Sequence, residues 1–285
     1  MRVFEDLDAL RAACRALERE GVRLGFVPTM GALHEGHLSL IAKARAEGAE
    51  HVVASIFVNP LQFDRPDDLD AYPRDRAGDL AQLEAAGCDA VFFPSADAMY
   101  PPGHQTRVEV PRASQGLCGA HRPGHFVGVA TVVLQLLNLV RPTLAVFGEK
   151  DFQQLTLIRT MARDLHLDAR IVGAPLVREP DGLALSSRNR RLSPADRSAA
   201  LAIARGLLEA ERRYRAGERA GAALLDAARA PMAAEPALTL EYLELRAFAD
   251  LEPLDTADRP SLILAAAHVG PVRLVDNVIL DRPPG

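Results

Sequence analysis

Between the N-terminus and about residue 175 the apolar residues switch repeatedly between a helical and a strand period, and this alternation limits the fold more than any other feature of the chain. Leu7, Leu10, Ala13, Cys14 and Leu17 recur at helical spacing, residues 22–27 form a short apolar run, Leu38, Leu40, Ile41 and Ala44 resume a helix, and 51–58 is rich in branched side chains. Further short buried strands are expected at 91–93, 144–147 and 169–172, with helices near 73–86, 126–140 and 151–166 between them. Strands that alternate with helices join in parallel through right-handed crossovers, so the expectation is an α/β fold built on a doubly wound parallel sheet. Ligands of such sheets sit beyond the carboxyl ends of the strands.

A second pattern begins at Ser193, Pro194 and Asp196: a capping hydroxyl, a proline at the first helical position and an acid three residues after the cap. Helices are expected over 194–215 and 219–233, then strand-like runs at 238–245, 261–267 and 271–279, which together read as a smaller C-terminal α+β domain. At about 150 residues per domain the length suits two, and the expected division is 1–176 and 177–285.

Composition narrows the partners. Lys and Arg number 33 against 38 Asp and Glu, a net charge of -5 with no basic stretch long enough to track a phosphate backbone, so nucleic acid is not expected to bind. The N-terminus places acids where a signal peptide carries bases, and the greasiest stretch, 126–140, is interrupted by Gly128, Thr131, Gln135 and Asn138. It falls short of the roughly 20 residues of a membrane span and reads as a buried helix. Cys14, Cys88 and Cys118 show no C-x-x-C spacing, which argues against a disulfide framework or a cysteine-built metal site and for a reducing compartment, the cytoplasm. No protein-built metal site is expected.

Three stretches carry chemistry. FVPTMGALHEGH (26–37) runs from a strand through a turn into a helix and puts His34 and His37 three apart, on one face of the helix N-terminus, where unpaired N–H groups and the helix dipole attract phosphate. The same pair could be an ordinary solvent-exposed helix start. It is not the H-E-x-x-H of metalloproteases, which spaces its histidines four apart, and neither G-x-x-x-x-G-K nor G-x-G occurs in the chain. In FGEKDFQQ (147–154), Lys150 is one of only two lysines, the other being Lys43, and follows a strand into a helix; it is either a phosphate-directed point charge or a surface lysine. LSSRNRR (185–191) supplies two hydroxyls and a guanidinium, a polyphosphate clamp on a mobile connector or a polar linker.

The H-E-G-H of 34–37 resembles the H-x-G-H signature of the nucleotidylyltransferase superfamily, shared with class I aminoacyl-tRNA synthetases. With SIFVNPLQF (55–63), YPRD (72–75), RPGHF (122–126) and the two later stretches, the region from about 26 to 192 resembles, in order, the pantothenate synthetase family, the pantoate:β-alanine ligases. That resemblance implies a Rossmann-like first domain binding ATP and pantoate, with the C-terminal domain as a lid. It implies catalytic roles for His34, His37, Lys150 and Arg188, with His37 as proton donor. It implies ATP contacts from Met30, Gly31, Ala32, Leu33, His34, Glu35, Gly36, His37, Gly148, Glu149, Lys150, Asp151, Val177, Leu185, Ser186, Ser187 and Arg188. Gln62 and Gln154 match the amides that hold pantoate, with Gln62 also near the β-alanine site, and Pro28, Asn59, Tyr72 and His125 are further pocket candidates. Leu185 stands where the family commonly has methionine, an apolar swap of similar volume.

The implied reaction is ATP-dependent condensation of pantoate with β-alanine through pantoyl-adenylate, releasing AMP and pyrophosphate, with Mg2+ on the phosphates, by a homodimer. Two other readings stand beside it: a nucleotidylyltransferase that stops at transfer of AMP or CMP to a phosphorylated acceptor, and a catalytically silent nucleotide-binding module. The number of phosphate-directed groups argues against the last.

Overall fold

The computed structural model describes residues 1–63 and 69–283. The chain divides into two compact units, Met1–Glu149 with Leu157–Pro175, and Lys150–Thr156 with Leu176–Gly285.

The first unit is built on strands β1 (Arg2–Phe4), β2 (Leu24–Thr29), β3 (His51–Ile56), β4 (Ala90–Phe92), β5 (Leu144–Gly148) and β6 (Arg170–Ala174). They form one sheet in the order β1-β4-β3-β2-β5-β6, with every pairing parallel. The expected doubly wound α/β sheet is therefore present. Its strands are buried on both faces, as parallel strands covered by helices must be: Phe26, Val27, Val52, Val91, Ala145 and Val146 are fully enclosed. From β2 the chain winds outward through β3 and β4, then returns to add β5 and β6 on the other side. Neighbours β2 and β5 thus flank the point where winding reverses, which is where such sheets open a crevice.

Helices α1 (Leu7–Arg19), α2 (Glu35–Ala46), α3 (Arg76–Ala85), α4 (Ala96–Met99), α5 (Leu117–His121), α6 (His125–Val140) and α7 (Phe152–Asp164) make the connections. The stretch expected as a buried helix is α6, and Phe126, Val129, Ala130, Val132, Leu136, Leu137 and Val140 are all interior. Its start after Gly124, which has φ +79°, separates His125 from His121 at the end of α5, so the two histidines do not share a helix. Among the described residues no helix is long and apolar enough to cross a membrane.

The second unit packs α8 (Pro194–Arg215) and α9 (Gly221–Ala233) on a three-stranded antiparallel sheet of β7 (Leu238–Ala247), β8 (Ser261–Val269) and β9 (Val272–Ile279), ordered β7-β8-β9. The Ser193 hydroxyl accepts from the Asp196 N–H at 3.1 Å, the cap its sequence predicts. Leu207, Leu224, Ala228, Ile263, Ala265 and Val272 form the core of this unit without measurable exposure. The helices cross closely because Gly206 has no side chain: a Cβ there would lie 2.1 Å from the Ala228 carbonyl oxygen.

Candidate active site

The histidine turn leaves β2 at Thr29, whose hydroxyl donates to the Ser55 carbonyl (2.8 Å) and accepts from the Gly31 N–H (3.2 Å). Gly31 and Ala32 follow with φ of +81° and +49°, consecutive left-handed residues that reverse the chain. Asp79 of α3, 2% exposed, holds this reversal. Its carboxylate accepts the Ala32 N–H at 2.9 Å and the Leu33 N–H at 2.7 Å. The Ala32 and Leu33 side chains are turned into the core, which leaves only their backbone to meet a ligand. His34 is the N-cap residue of α2, with extended backbone and no side-chain cap bond, and its carbonyl accepts from the His37 and Leu38 N–H groups. The His34 and His37 rings come together with centroids 4.1 Å apart and planes inclined by 31°. Glu35 projects to solvent in the first turn.

A second cluster surrounds the turn at Pro60–Gln62, after β3. Asn59, 1% exposed, is oriented by backbone partners: Oδ1 accepts from the Leu61 N–H (3.2 Å) and Nδ2 donates to the Gly128 carbonyl (3.1 Å). That assignment fixes its neighbours. The Tyr100 hydroxyl must donate to Oδ1 (2.7 Å), and the Asn59 Nδ2 also donates to Gln62 Oε1 (3.1 Å). Gln62 is thereby left with Nε2 as its outward group, 2.8 Å from Met30 Sδ, a weak acceptor. Burial pushes the Tyr100 phenol up, so it stays a neutral donor. The Gln62 carbonyl accepts from His125 Nδ1 (2.8 Å) and an Arg122 Nη (3.2 Å). Tyr72, 7% exposed, stacks edge-on to Phe63 with centroids 5.7 Å apart. Gly128 of α6 permits the whole arrangement, because a Cβ there would sit 2.2 Å from the Leu61 carbonyl oxygen. Pro28 lies half-buried on β2.

The remaining candidates other than Gly148 and Glu149 belong to the second unit. Gly148 ends β5 and Glu149 is buried at the start of a single 3-10 turn, Glu149–Asp151. Lys150 in that turn has its ammonium 3.7 Å from Asp151 Oδ2, and its carbonyl accepts from Asn277 Nδ2 at 2.9 Å. The other lysine, Lys43, is accounted for by an i,i+4 ion pair with Glu47 at 2.7 Å. Gln154 is half-buried on α7, beside the buried Gln153. Val177 and Leu185 face each other across a short hairpin, the Leu185 N–H donating to the Val177 carbonyl (3.0 Å) around Gly182 at φ +97°.

The stretch after Leu185, expected as a clamp on a mobile connector or as a polar linker, has a regular local form. Ser187–Arg191 is a 3-10 turn capped by the Ser186 hydroxyl, which accepts from the Arg188 N–H at 3.3 Å. The physical reason is Asn189, which is buried and donates to the Ala184 carbonyl (2.9 Å) and Glu179 Oε1 (2.6 Å). Ser186, Ser187 and Arg188 are consequently held on a folded turn.

The first unit therefore gathers Met30, Asn59, Gln62 and His125 into one network and His34 with His37 into another, while the second carries Lys150, Gln154, Val177 and Leu185 to Arg188. Sequence reasoning missed Asp79, Tyr100 and Asn277. A sign was available for Asn277 alone, since Asp276 and Asn277 break the apolar alternation of β9.

Comparison with known proteins shows the family of the chain. The family model described as Pantoate-beta-alanine ligase matches residues 2–279. Pantothenate synthetase of Thioalkalivibrio sulfidiphilus (strain HL-EbGR7) is 54% identical over 286 residues, covering 100% of this chain and 99% of its own length. That of Pseudomonas putida (strain GB-1) is 51% identical over 282 residues, covering 98% of each. The crystal structure of pantothenate synthetase from Thermus thermophilus matches with a TM-score of 0.92 at 43% identity, over 99% of this chain and 100% of the other. Pantoate-beta-alanine ligase from Francisella tularensis, complexed with beta-gamma ATP and beta-alanine, matches with a TM-score of 0.81 at 34% identity over 100% of both chains. Because the match in sequence and in structure runs through both units, the chain belongs to the pantoate-beta-alanine ligase family and is a ligase.

Proposed function

We propose that this chain condenses (R)-pantoate with β-alanine, using ATP, through a pantoyl-adenylate intermediate. A pantoate carboxylate oxygen attacks the α-phosphorus, the bond to the β-phosphate breaks, and pyrophosphate leaves. The neutral amine of β-alanine then attacks the acyl carbon, the bond to AMP breaks, and the amine gives up its proton as the amide forms. Activation is required because a bare carboxylate offers no adequate leaving group. No protein nucleophile takes part, so catalysis rests on positioning and on stabilising charge as it moves.

The observation that carries this reading is the pairing of His34 and His37 at the N-terminus of α2, rings 4.1 Å apart, after β2 at the reversal of the sheet. Imidazoles and helix N–H groups there suit the charge that develops on pyrophosphate. We assign His34, His37, Lys150 and Arg188 to that charge, with His37 as proton donor. The nucleotide would lie along Met30 to His37, Gly148 to Asp151, Val177 and Leu185 to Arg188. Gln62 and Gln154 would hold pantoate, with Gln62 donating from Nε2 to a substrate oxygen, and Pro28, Asn59, Tyr72 and His125 would complete that wall. Mg2+ is proposed to arrive on the ATP phosphates and to neutralise part of their charge. Among the described residues no group of three or more His, Cys, Asp or Glu side chains is gathered as a ligand set. We further propose a cytoplasmic homodimer, on the family resemblance.

Single-turnover pyrophosphate release with Mg-ATP and pantoate, with and without β-alanine, tests the reaction. Pyrophosphate should appear with pantoate alone, and AMP with the amide only after β-alanine is added. His37→Ala and Lys150→Ala should each slow the first step by about 10²–10³-fold, the usual loss for one group that stabilises transition-state charge, with thermal unfolding little changed. Absence of pyrophosphate with pantoate, or near-normal rates in both variants, would overturn the reading.

A further inference from the structure

We propose that Asp276 and Asn277, on β9, are positioning residues for Lys150, and that with Arg178 they lock the Lys150 turn to the hairpin leading into Ser186, Ser187 and Arg188. The inference rests on the reading above that these groups act on phosphate. The contacts are continuous. Asn277, 4% exposed, donates from Nδ2 to the Lys150 carbonyl at 2.9 Å. Its own N–H donates to Asp276 Oδ1 at 2.7 Å. Asp276, also 4% exposed, accepts a bidentate pair from Arg178 at 2.7 and 3.0 Å. Arg178 also donates from its Nη groups to the Gly182 carbonyl (3.1 Å) and the Asn277 carbonyl (3.3 Å), while its backbone bridges Ala184 across the hairpin. One cluster thus binds the 149–151 turn and both arms of the 177–185 hairpin.

A strand does not need this cluster to be stable. Buried ion pairs and amides are commonly matched or bettered by apolar residues of similar volume, because their desolvation offsets their attraction. Here burial pushes the Asp276 carboxyl up, against the pull of Arg178 and, more weakly, of the Lys150 ammonium. A polar cluster kept in an interior is accounted for by what it holds in place, and what this one holds is the backbone of Lys150. A bidentate Arg–carboxylate pair is also directional, fixing angle as well as distance.

The test compares wild type, Asn277→Ala and Asn277→Asp, alone and combined with Lys150→Ala. Asn277→Asp keeps the shape but turns an oxygen toward the Lys150 carbonyl. Two readouts are taken. The first, hydrogen exchange of the free protein, requires no catalysis: peptides covering 149–156 should exchange faster in both variants, while those of β2 and α2 do not change. The second is single-turnover pyrophosphate release at saturating ATP and pantoate. Each variant should slow it about tenfold, the scale of a displacement below 1 Å, with the pantoate KM within about twofold. In the Lys150→Ala background the same substitutions should add less than about twofold, because residues that act through one another are not additive. Unchanged exchange at 149–156 overturns the proposal whatever the activity, as does an equal slowing with and without Lys150. A wild-type protein that exchanges as expected but releases no pyrophosphate would instead count against the reaction assigned above.

Discussion

Removing the carboxylate of Asp79 tests the account of the histidine turn most directly. In Asp79→Ala the N–H groups of Ala32 and Leu33, now bonded at 2.9 and 2.7 Å, lose their acceptor in a region where residues 31–33 are buried. A buried donor left without a partner costs about 1–3 kcal/mol, so the two together cost about 2–6 kcal/mol. Part of this is returned because the variant no longer desolvates a carboxylate. The expected net loss is roughly 2–4 kcal/mol, a large share of the 5–15 kcal/mol that holds a typical protein folded. Asp79→Asn keeps one acceptor oxygen and turns an amide toward the second N–H, so it should lose about half as much. Urea unfolding by far-ultraviolet circular dichroism measures both, since the chain has no tryptophan to report by fluorescence. Wild type, Asn and Ala should rank in that order of midpoint. An Asp79→Ala unfolding free energy within about 0.5 kcal/mol of wild type would refute the reasoning, because it would mean that the left-handed pair at Gly31 and Ala32 holds its shape without the carboxylate.

Two further expectations follow from close approach and from burial. Gly128→Ala removes helix-interior glycine, a change worth about 1 kcal/mol of added stability at an ordinary site, but here the new Cβ would meet the Leu61 carbonyl oxygen at 2.2 Å. The sign should invert, with a lower melting temperature and weaker pantoate binding through the displaced Gln62; a stabilised variant would contradict the packing described. Burial pushes the Cys14 and Cys88 thiols each up to about 11. Their contribution to stability is fully present below the ordinary thiol value of about 8.5 and is lost as pH rises through about 11. Unfolding free energy should accordingly fall across that window, and at pH 8 both thiols should react with a disulfide reagent only after denaturation. Rapid modification of both in the folded protein would contradict this.

The elements legible in the sequence were those whose periodicity is local. The helix over 194–215 matches α8 residue for residue, because a Ser-Pro cap and a 22-residue amphipathic repeat mark its start and face. Strand β1 escaped notice, since three residues, of which only Phe4 is buried, carry no period; it exists through its pairing with β4, some 88 positions away in sequence. The same distinction divides the candidate site residues. His34, His37, Lys150 and Ser186 to Arg188 stand in contiguous motifs, so the order of residues along the chain is enough to propose them as candidates. Asp79 could not be named that way, because an acid in the first turn of α3 reads as a partner of that helix's own dipole. Nothing near it in sequence points to a backbone turn 47 residues earlier. Tyr100 likewise reaches Asn59 across 41 residues, and only the fold brings its hydroxyl there. Supporting shells are long-range by nature, whereas the groups they support cluster in short stretches that follow strands.

The bond from Asn277 to the Lys150 carbonyl spans 127 positions. During synthesis Lys150 leaves the ribosome well before that donor exists. At about 5–20 residues per second the delay is roughly 6–25 seconds, ample time for the parallel sheet of the first unit to form. The turn bearing Lys150 must therefore wait in a provisional conformation, and a nascent chain truncated before β9 would carry the lysine without the contact that sets its backbone. On the role proposed for Lys150, competence for chemistry waits on β9, a strand made long after the turn it steadies, so a chain broken off before Asn277 would lack an armed site.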